Sequence, residues 1–446
     1  MFKKVLIANR GEIAVRVIRS CQELGVDTVA IHSKADEDSM HVKMANESIC
    51  VGNNSANESY LNIPAIITAA ELTGADAIHP GYGFLSENAR FADILEEHDI
   101  AFIGPKSQHI KIMGDKIKAR ETISKTGIPL VPGSEGSIVN LNNLKKTAHK
   151  IGYPIIIKAA SGGGGKGMKV VYTEENLIDQ YDLAKSEAEA NFGNDEVYIE
   201  KFLEKPKHIE FQIFADKHGN VIHLGERDCS MQRRHQKIIE EAPAHNINIS
   251  EKKKVLNSII SAMKKIKYIG AGTVEMLYEN GKFYFIEMNT RVQVEHPVTE
   301  MITGFDIVAE QIKVASGLKL KVKQEDISFS GHSIECRINA ENSKTFLPSP
   351  GIISAYHTPG GPGVRVDSAA YEKYKVLPYY DSLIGKLIVH ADNRDLAISR
   401  MLRALNEFII EGIDTTLDLH KAVISTKDFK SSNYDIKWLE KFLARK

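Results

Sequence analysis

Along the N-terminal part of the chain, short apolar runs alternate with stretches in which apolar residues recur every third or fourth position. Lys4 to Asn9 reads as a buried strand, and Gly11 to Leu24 places Ile13, Val17, Ile18, Cys21 and Leu24 on one helical face, with Gly25 as its stop. Asp27 to His32 is the next strand. Tyr60 to Leu72, Ala75 to His79, Glu87 to Glu97 and Ala101 to Ile103 repeat the alternation, which predicts a parallel sheet covered by helices to about residue 113. The first strand-to-helix turn, Asn9-Arg10-Gly11-Glu12, lacks the three glycines of a dinucleotide fingerprint, which disfavours an NAD-binding Rossmann enzyme.

From about Gly114 to about Leu203 the pattern gives a helix after Asp115, a turn-rich stretch from Pro129 to Gly136, a helix near Leu141 to Ile151 and two strands around a glycine loop. Strands follow at His208 to Phe214, Val221 to Glu226, Gly272 to Tyr278 and Lys282 to Asn289, with helices at Glu251 to Ile266 and Met301 to Ala315. Gly317 stops the last helix, Gln324 to Gly331 reads as a joint, and the final segment carries strands near Ile334 to Asn339 and Gly385 to Ala391.

The runs Thr273 to Tyr278 and Lys282 to Asn289 flank Asn280-Gly281, a hairpin signal whose register decides the chemistry. A two-residue loop would pair Glu275 with Ile286 and turn Glu287 to the opposite face. A three-residue loop, Glu279-Asn280-Gly281, would pair Glu275 with Phe285 and gather Glu275, Glu287 and Asn289 on one face. The three-residue loop is the expectation, because it collects hard oxygen ligands where Mg²⁺ could sit. Two carboxylates about 4–5 Å apart repel by about 3–4 kcal/mol at an effective dielectric of about 20, a strain that a cation relieves. Polar residues then continue at every second position through Glu287, Asn289, Arg291, Gln293 and Glu295, so an extended chain would aim five polar side chains into one site.

Composition narrows the function classes. The charged residues balance, 57 basic against 58 acidic, which argues against a general nucleic-acid or membrane-surface binder. The apolar run Val5 to Ala8 is a strand's length, short of a signal core or a membrane span. Four scattered cysteines (Cys21, Cys50, Cys229, Cys336) show no CxxC, so neither a disulfide framework nor a zinc ribbon is expected, in keeping with a reducing cytoplasm. Cys229 has no partner histidine and reads as a packing residue.

Between the strands Ile155 to Lys158 and Lys169 to Tyr172 lies Ser161-Gly162-Gly163-Gly164-Gly165-Lys166-Gly167-Met168. Glycine amides can crowd around phosphate oxygens, and Lys158 and Lys166 supply charge. A P-loop would carry Ser or Thr and a helix where this chain has Met168 and a strand, so a hairpin covering a nucleotide is the better reading.

Together these motifs resemble the biotin carboxylase branch of the ATP-grasp family. Lys158 with its glycine loop, Glu200-Lys201-Phe202-Leu203, His208-Ile209-Glu210-Phe211-Gln212 and Glu287 through His296 carry the likeness. So do Ile7 through Glu12, His79-Pro80-Gly81-Tyr82-Gly83 and Arg227 through Lys237. The resemblance implies an α/β and α+β multidomain chain with the ATP-grasp fold: an N-terminal parallel α/β domain (1–113), an ATP-grasp domain (114–330) with a mobile glycine-loop lid at about 131–203, and a C-terminal mixed domain (331–446).

It implies roles as well. Lys116, Lys158, Gly164, Gly165, Glu200, Lys201, Phe202, Leu203, His208, Gln232 and His235 would hold ATP, and Glu275, Glu287 and Asn289 two Mg²⁺ (or Mn²⁺) ions. Lys237, Arg291, Gln293 and the Val294 backbone would hold bicarbonate, Glu295 would take its proton, and Arg337 and Tyr82 would meet biotin. Glu295 is a weak base at its ordinary pKa of about 4.3, so it works if cations lower the pKa of bicarbonate or burial raises its own. Biotin would arrive on a separate biotin carboxyl carrier protein, because Ala262-Met263-Lys264-Lys265 lies in a helical stretch and lacks the second Met of an attachment site. Carboxyltransferase subunits would complete the assembly. Arg19 and Glu23 match positions of a family homodimer contact.

Two rivals are another ATP-grasp ligase, which bicarbonate-dependent ADP release that rises with free biotin would exclude, and a non-catalytic nucleotide-binding subunit, against which the intact Glu275, Glu287, Asn289, Arg291 and Glu295 speak. The final carboxyl acceptor is open, with acetyl-CoA set against pyruvate or propionyl-CoA.

Overall fold

A computed structural model describes residues 1–160 and 167–445. The first strand, β1 (Lys4–Ile7), buries Val5, Leu6 and Ile7 completely, as a strand covered on both faces must. It sits at the centre of a parallel sheet with β2 (Asp27–Ser33), β3 (Glu47–Gly52), β4 (Ala77–His79) and β5 (Ala101–Phe102), in the order β3-β2-β1-β4-β5. The helix Gly11–Glu23 follows the expected face, with Ile13, Val17, Ile18 and Cys21 buried. Strand β3 went unforeseen, because its exposed edge position leaves Glu47, Ser48 and Cys50 in solvent and blurs the apolar run. The expected helix from Tyr60 begins instead at Ile63, where Asn62 caps it by accepting from the Ala65 amide.

A small antiparallel sheet of β6 (Ile155–Ala159), β7 (Met168–Val171) and β8 (Val197–Lys201) runs in the order β7-β6-β8. It has its own core of Ile155, Ile157, Ile199, Leu177 and Ala184. The long antiparallel sheet is built from β9 (Lys207–Ala215), β10 (Val221–Arg233), β11 (Gln236–Ala242), β12 (Gly270–Glu279), β13 (Lys282–Asn289) and β14 (His332–Asn339). After the short strands β15 (Gly351–Ile352), β16 (Ala355–His357) and β18 (Lys375–Val376), it is completed by β17 (Val364–Ser368) and β19 (Leu383–Ala391). Its order is β13-β12-β9-β10-β11-β14-β19-β17, so the C-terminal strands extend the same sheet through the β11–β14 pair. The two large sheets join through one core in which Val5, Ile13 and Val17 meet Phe214, Val292 and Ile307.

Two further expectations are corrected. The single helix Met301 to Ala315 is two, His296–Thr303 and Ile307–Ala315, divided by Gly304 at φ +67° and restarted by Asp306, which accepts from Ala309 N. The β12–β13 turn holds two residues, not three: Glu279 pairs with Lys282 across Asn280 and Gly281, both at positive φ (52° and 80°). A bulge at Ile286 then shifts the register, so that Met276 faces Phe285 but Glu275 faces Glu287 and Thr273 faces Asn289. The bulge, not the turn, puts both acids on one face.

Candidate active site

The parallel sheet, the small sheet and the long sheet face one cavity of about 1030 Å³. Every described residue assigned a site role from the sequence lines it, from Lys116 and Lys158 through Glu275, Glu287 and Asn289 to Lys237, Arg291 and Arg337. Gly164, Gly165 and Lys166 lie outside the described residues.

Lys237 on β11 is the hub. Its ammonium contacts Glu210 at 2.6 Å, Glu275 at 2.9 Å and Glu295 at 2.6 Å, and those carboxylates outweigh burial to hold its pKa well above the ordinary lysine value. The β10–β11 turn makes this possible. Arg234 and His235 both take positive φ (48° and 64°), a tight turn that pairs Arg233 with Gln236 and brings His235 to the cavity wall. Glu275 in turn receives Asn289 Nδ2 and Gln293 Nε2, each at 2.8 Å. His208 Nε2 lies 2.9 Å from Glu275 in a charge contact without hydrogen-bond alignment, and Glu275 holds its pKa up against burial.

The carboxyls divide by environment. Burial would raise all of them, but Lys237 and His208 hold Glu275 well below the usual range, as Lys237, Arg337 and Arg227 hold Glu295. Glu295 is therefore ionised, which removes burial as the source of its basicity and leaves the surrounding cations. Glu287 goes the other way, pushed up by burial and then by the charge of Glu275. Hard oxygens of Glu275, Glu287 and Asn289 on one face, with one acid raised by its neighbour, suit a divalent ion of the Mg²⁺ kind. Two further groups of possible ligands, Glu210 with His208 and Glu275 and Glu210 with Cys229 and Glu295, are centred on Glu210, which is paired with Lys237 at 2.6 Å and Arg227 at 2.5 Å.

Lys158 Nζ lies 2.6 Å from Glu200, which Arg120 also grips. Burial, with Lys158 close by, holds the Lys116 pKa down despite the nearby charge of Glu287. Arg337 on β14 pairs with Glu240 at 2.5 Å and Glu295 at 2.9 Å. The chain does not stay extended beyond Asn289: residues 290–295 form an irregular link into the helix His296–Thr303, yet Arg291, Gln293, Val294 and Glu295 all reach the cavity. Tyr82 lines the wall and gives its hydroxyl to Glu12. Burial pushes the Cys229 thiol far up, so it stays protonated.

Sequence reading missed Arg120, Glu87, which holds Arg291 Nε at 2.8 Å, and Glu240. Glu210 was signalled by its spacing of two from His208 on one strand but was given no role. Arg19 and Glu23 are both exposed, and no ion pair joins them.

Three family models match: the N-terminal domain of biotin carboxylase over residues 1–110, the ATP-binding domain of the carbamoyl-phosphate synthase L chain over 115–323, and the C-terminal domain of biotin carboxylase over 335–441. The biotin carboxylase of Haemophilus influenzae is 56% identical over 445 residues, covering 100% of this chain and 99% of that protein. A crystal structure of a biotin carboxylase complex with a β,γ-ATP ligand from Campylobacter jejuni superposes with a TM-score of 0.96 at 52% identity, covering 99% of each chain. The biotin carboxylase domain dimer of Hydrogenobacter thermophilus 2-oxoglutarate carboxylase, with MgADP, ADP and bicarbonate, gives 0.94 at 50% identity, covering 99% of this chain and 98% of that one.

Proposed function

The chain belongs to the biotin carboxylase family of ATP-grasp enzymes, and on that premise we propose that it carboxylates biotin on a carrier protein with ATP and bicarbonate, as the first half-reaction of acetyl-CoA carboxylase. The observation that carries this reading is the convergence of Lys237, Arg291, Glu295 and Arg337 with the Glu275–Glu287–Asn289 face in one cavity.

Lys116, Lys158, the segment from Glu200 to Leu203, His208, Gln232 and His235 hold the nucleotide. Glu275, Glu287 and Asn289 would hold Mg²⁺ or Mn²⁺, two ions, which supply positive charge against the triphosphate. Lys237, Arg291, Gln293 and the Val294 backbone hold bicarbonate against the γ-phosphate. Surrounded by these cations, bicarbonate gives its proton to the ionised Glu295 carboxylate as its oxygen attacks phosphorus and ADP leaves. The resulting carboxyphosphate breaks down to CO₂ and phosphate. That phosphate removes the N1′ proton of biotin, Arg337 stabilises the enolate oxygen with a guanidinium that stays charged, and N1′ bonds to the CO₂ carbon.

We divide the chain at about 113 and 330 and assign 131–203 to a lid that keeps water from the intermediate. Among the described residues no helix is long and apolar enough to cross a membrane. A cytoplasmic homodimer working with a carrier protein and carboxyltransferase subunits completes the reading. It is supported by the free cysteines and by the dimer of the Hydrogenobacter relative.

ADP release that requires bicarbonate and rises when free biotin is added tests the activity. Indifference to bicarbonate refutes it, and assays of the carrier-loaded enzyme with acetyl-CoA, pyruvate and propionyl-CoA separate the acceptors. Arg337→Ala is expected to lower biotin carboxylation by at least about 100-fold while slow bicarbonate-dependent ATP cleavage persists. Unchanged carboxylation removes Arg337 from its role.

A further inference from the structure

Residues 290–295 bear Arg291, Gln293, Val294 and Glu295, yet neither sheet nor helix holds them. Their geometry is set from outside. Glu87 accepts from Thr290 N at 2.9 Å and from Arg291 Nε at 2.8 Å, and Gln293 is held by Arg227 and Glu275 at 2.8 Å each. A further anchor acts on the main chain itself: the Lys386 ammonium donates to the Val294 carbonyl at 2.8 Å.

Lys386 comes from β19, and its side chain is completely buried. Its counter-charges are Glu12 at 3.1 Å, in the first turn of the helix Gly11–Glu23, Asp367 at 4.0 Å, and the nearby buried Glu335, which also acts on Arg337. Its direct cross-strand neighbour is Arg337, so two cations stand side by side on one sheet face, a pairing that is destabilising by itself. Dehydrating an ammonium is also costly, whereas a buried carbonyl needs only a neutral donor. An ammonium held charged by buried acids yet aimed at the peptide joining two site residues, where a neutral donor would satisfy the carbonyl, points to function.

We propose that Lys386 is a positioning residue of the carboxylation site, holding the Val294–Glu295 peptide so that the Val294 backbone meets bicarbonate and the Glu295 carboxylate stays aimed between Lys237 and Arg337. This rests on the function proposed above. The Val294 carbonyl and the Glu295 nitrogen share one planar unit, so loss of its anchor swings Glu295 away from its contacts at 2.6 Å and 2.9 Å. Glu12 ties the same ammonium to Tyr82 on the cavity wall.

Lys386→Met keeps most of the stem and removes the charge, and Lys386→Met with Glu12→Gln removes the buried pair together. Both are expected to lower kcat/KM for bicarbonate by about 100-fold while the Kd for ATP stays within about twofold, with partial recovery in Lys386→Arg. Wild-type kcat/KM in folded Lys386→Met overturns the proposal, as does an equal loss of ATP affinity. Activity that returns when Glu12→Gln is added, or failure of both variants to fold, would assign Lys386 to the core alone and overturn it as well. Wild-type enzyme that ignores bicarbonate would sink the underlying function instead, a result visible before any variant is made.

Discussion

Glu240 and Glu241 are neighbours on β11, both buried, and the strand's alternation sends them to opposite faces. Glu241 is saturated: His332 Nε2 at 2.7 Å, Arg394 Nε at 2.7 Å and NH2 at 3.0 Å, and the Tyr434 hydroxyl all serve it. Burial would raise its pKa, but His332 and Arg394 hold it well below the ordinary range. Glu240 has Arg337 on one oxygen at 2.6 Å and no partner on the other among the described residues. There burial, reinforced by Glu295, outweighs Arg337 and pushes the carboxyl up to about 7. Two identical side chains one residue apart thus titrate in opposite directions. The saturated acid rivets the C-terminal core. The unsaturated one shares the Arg337 guanidinium with Glu295.

Glu241→Gln should break the comparison most severely, costing about 3–5 kcal/mol because it leaves Arg394 buried without its counter-charge. Urea melts measure this. A carboxyl with a depressed folded pKa stabilises above its unfolded value and loses that contribution as pH falls through the folded one. The gap to wild type should therefore be full at neutral pH and shrink below about pH 4.5. A constant gap would mean the effect is packing alone.

Glu240→Gln should act oppositely. A carboxyl with a raised folded pKa contributes fully below the unfolded value and loses that contribution as pH rises through the folded one, so relative stability should move in the variant's favour between about pH 4.5 and 7. Carboxylation should fall about tenfold as Arg337 loses a partner, with ATP binding retained. A flat pH dependence would show that Glu240 is ionised throughout. The smallest effect is the exposed control: Lys254→Ala, which removes the 2.6 Å pair with Glu251, should change stability by less than about 0.5 kcal/mol at any pH.

Much of this was legible in order and spacing. The strand Lys282–Asn289 and the helix Leu141–Ile151 stand where the pattern puts them, because period and caps are local. The convergence of Glu275, Glu287 and Asn289 was expected for the wrong reason, since a bulge at Ile286 leaves no local mark while Asn280-Gly281 announces only the turn. Glu87 and Arg120 escaped because they act across the fold, on Arg291 and on Glu200, where no motif links them. Glu240 and Glu241 are adjacent in sequence, and only the strand sends them to opposite faces.

The β11–β14 ladder has one more consequence. Cutting the chain near 330 would strip β14 from β11 and bare the amides and carbonyls of Ile239 to Ala242 along a raw border. A fragment ending there would recruit other strands and self-associate. The safer seam for a split protein lies around the small sheet, whose core closes on itself.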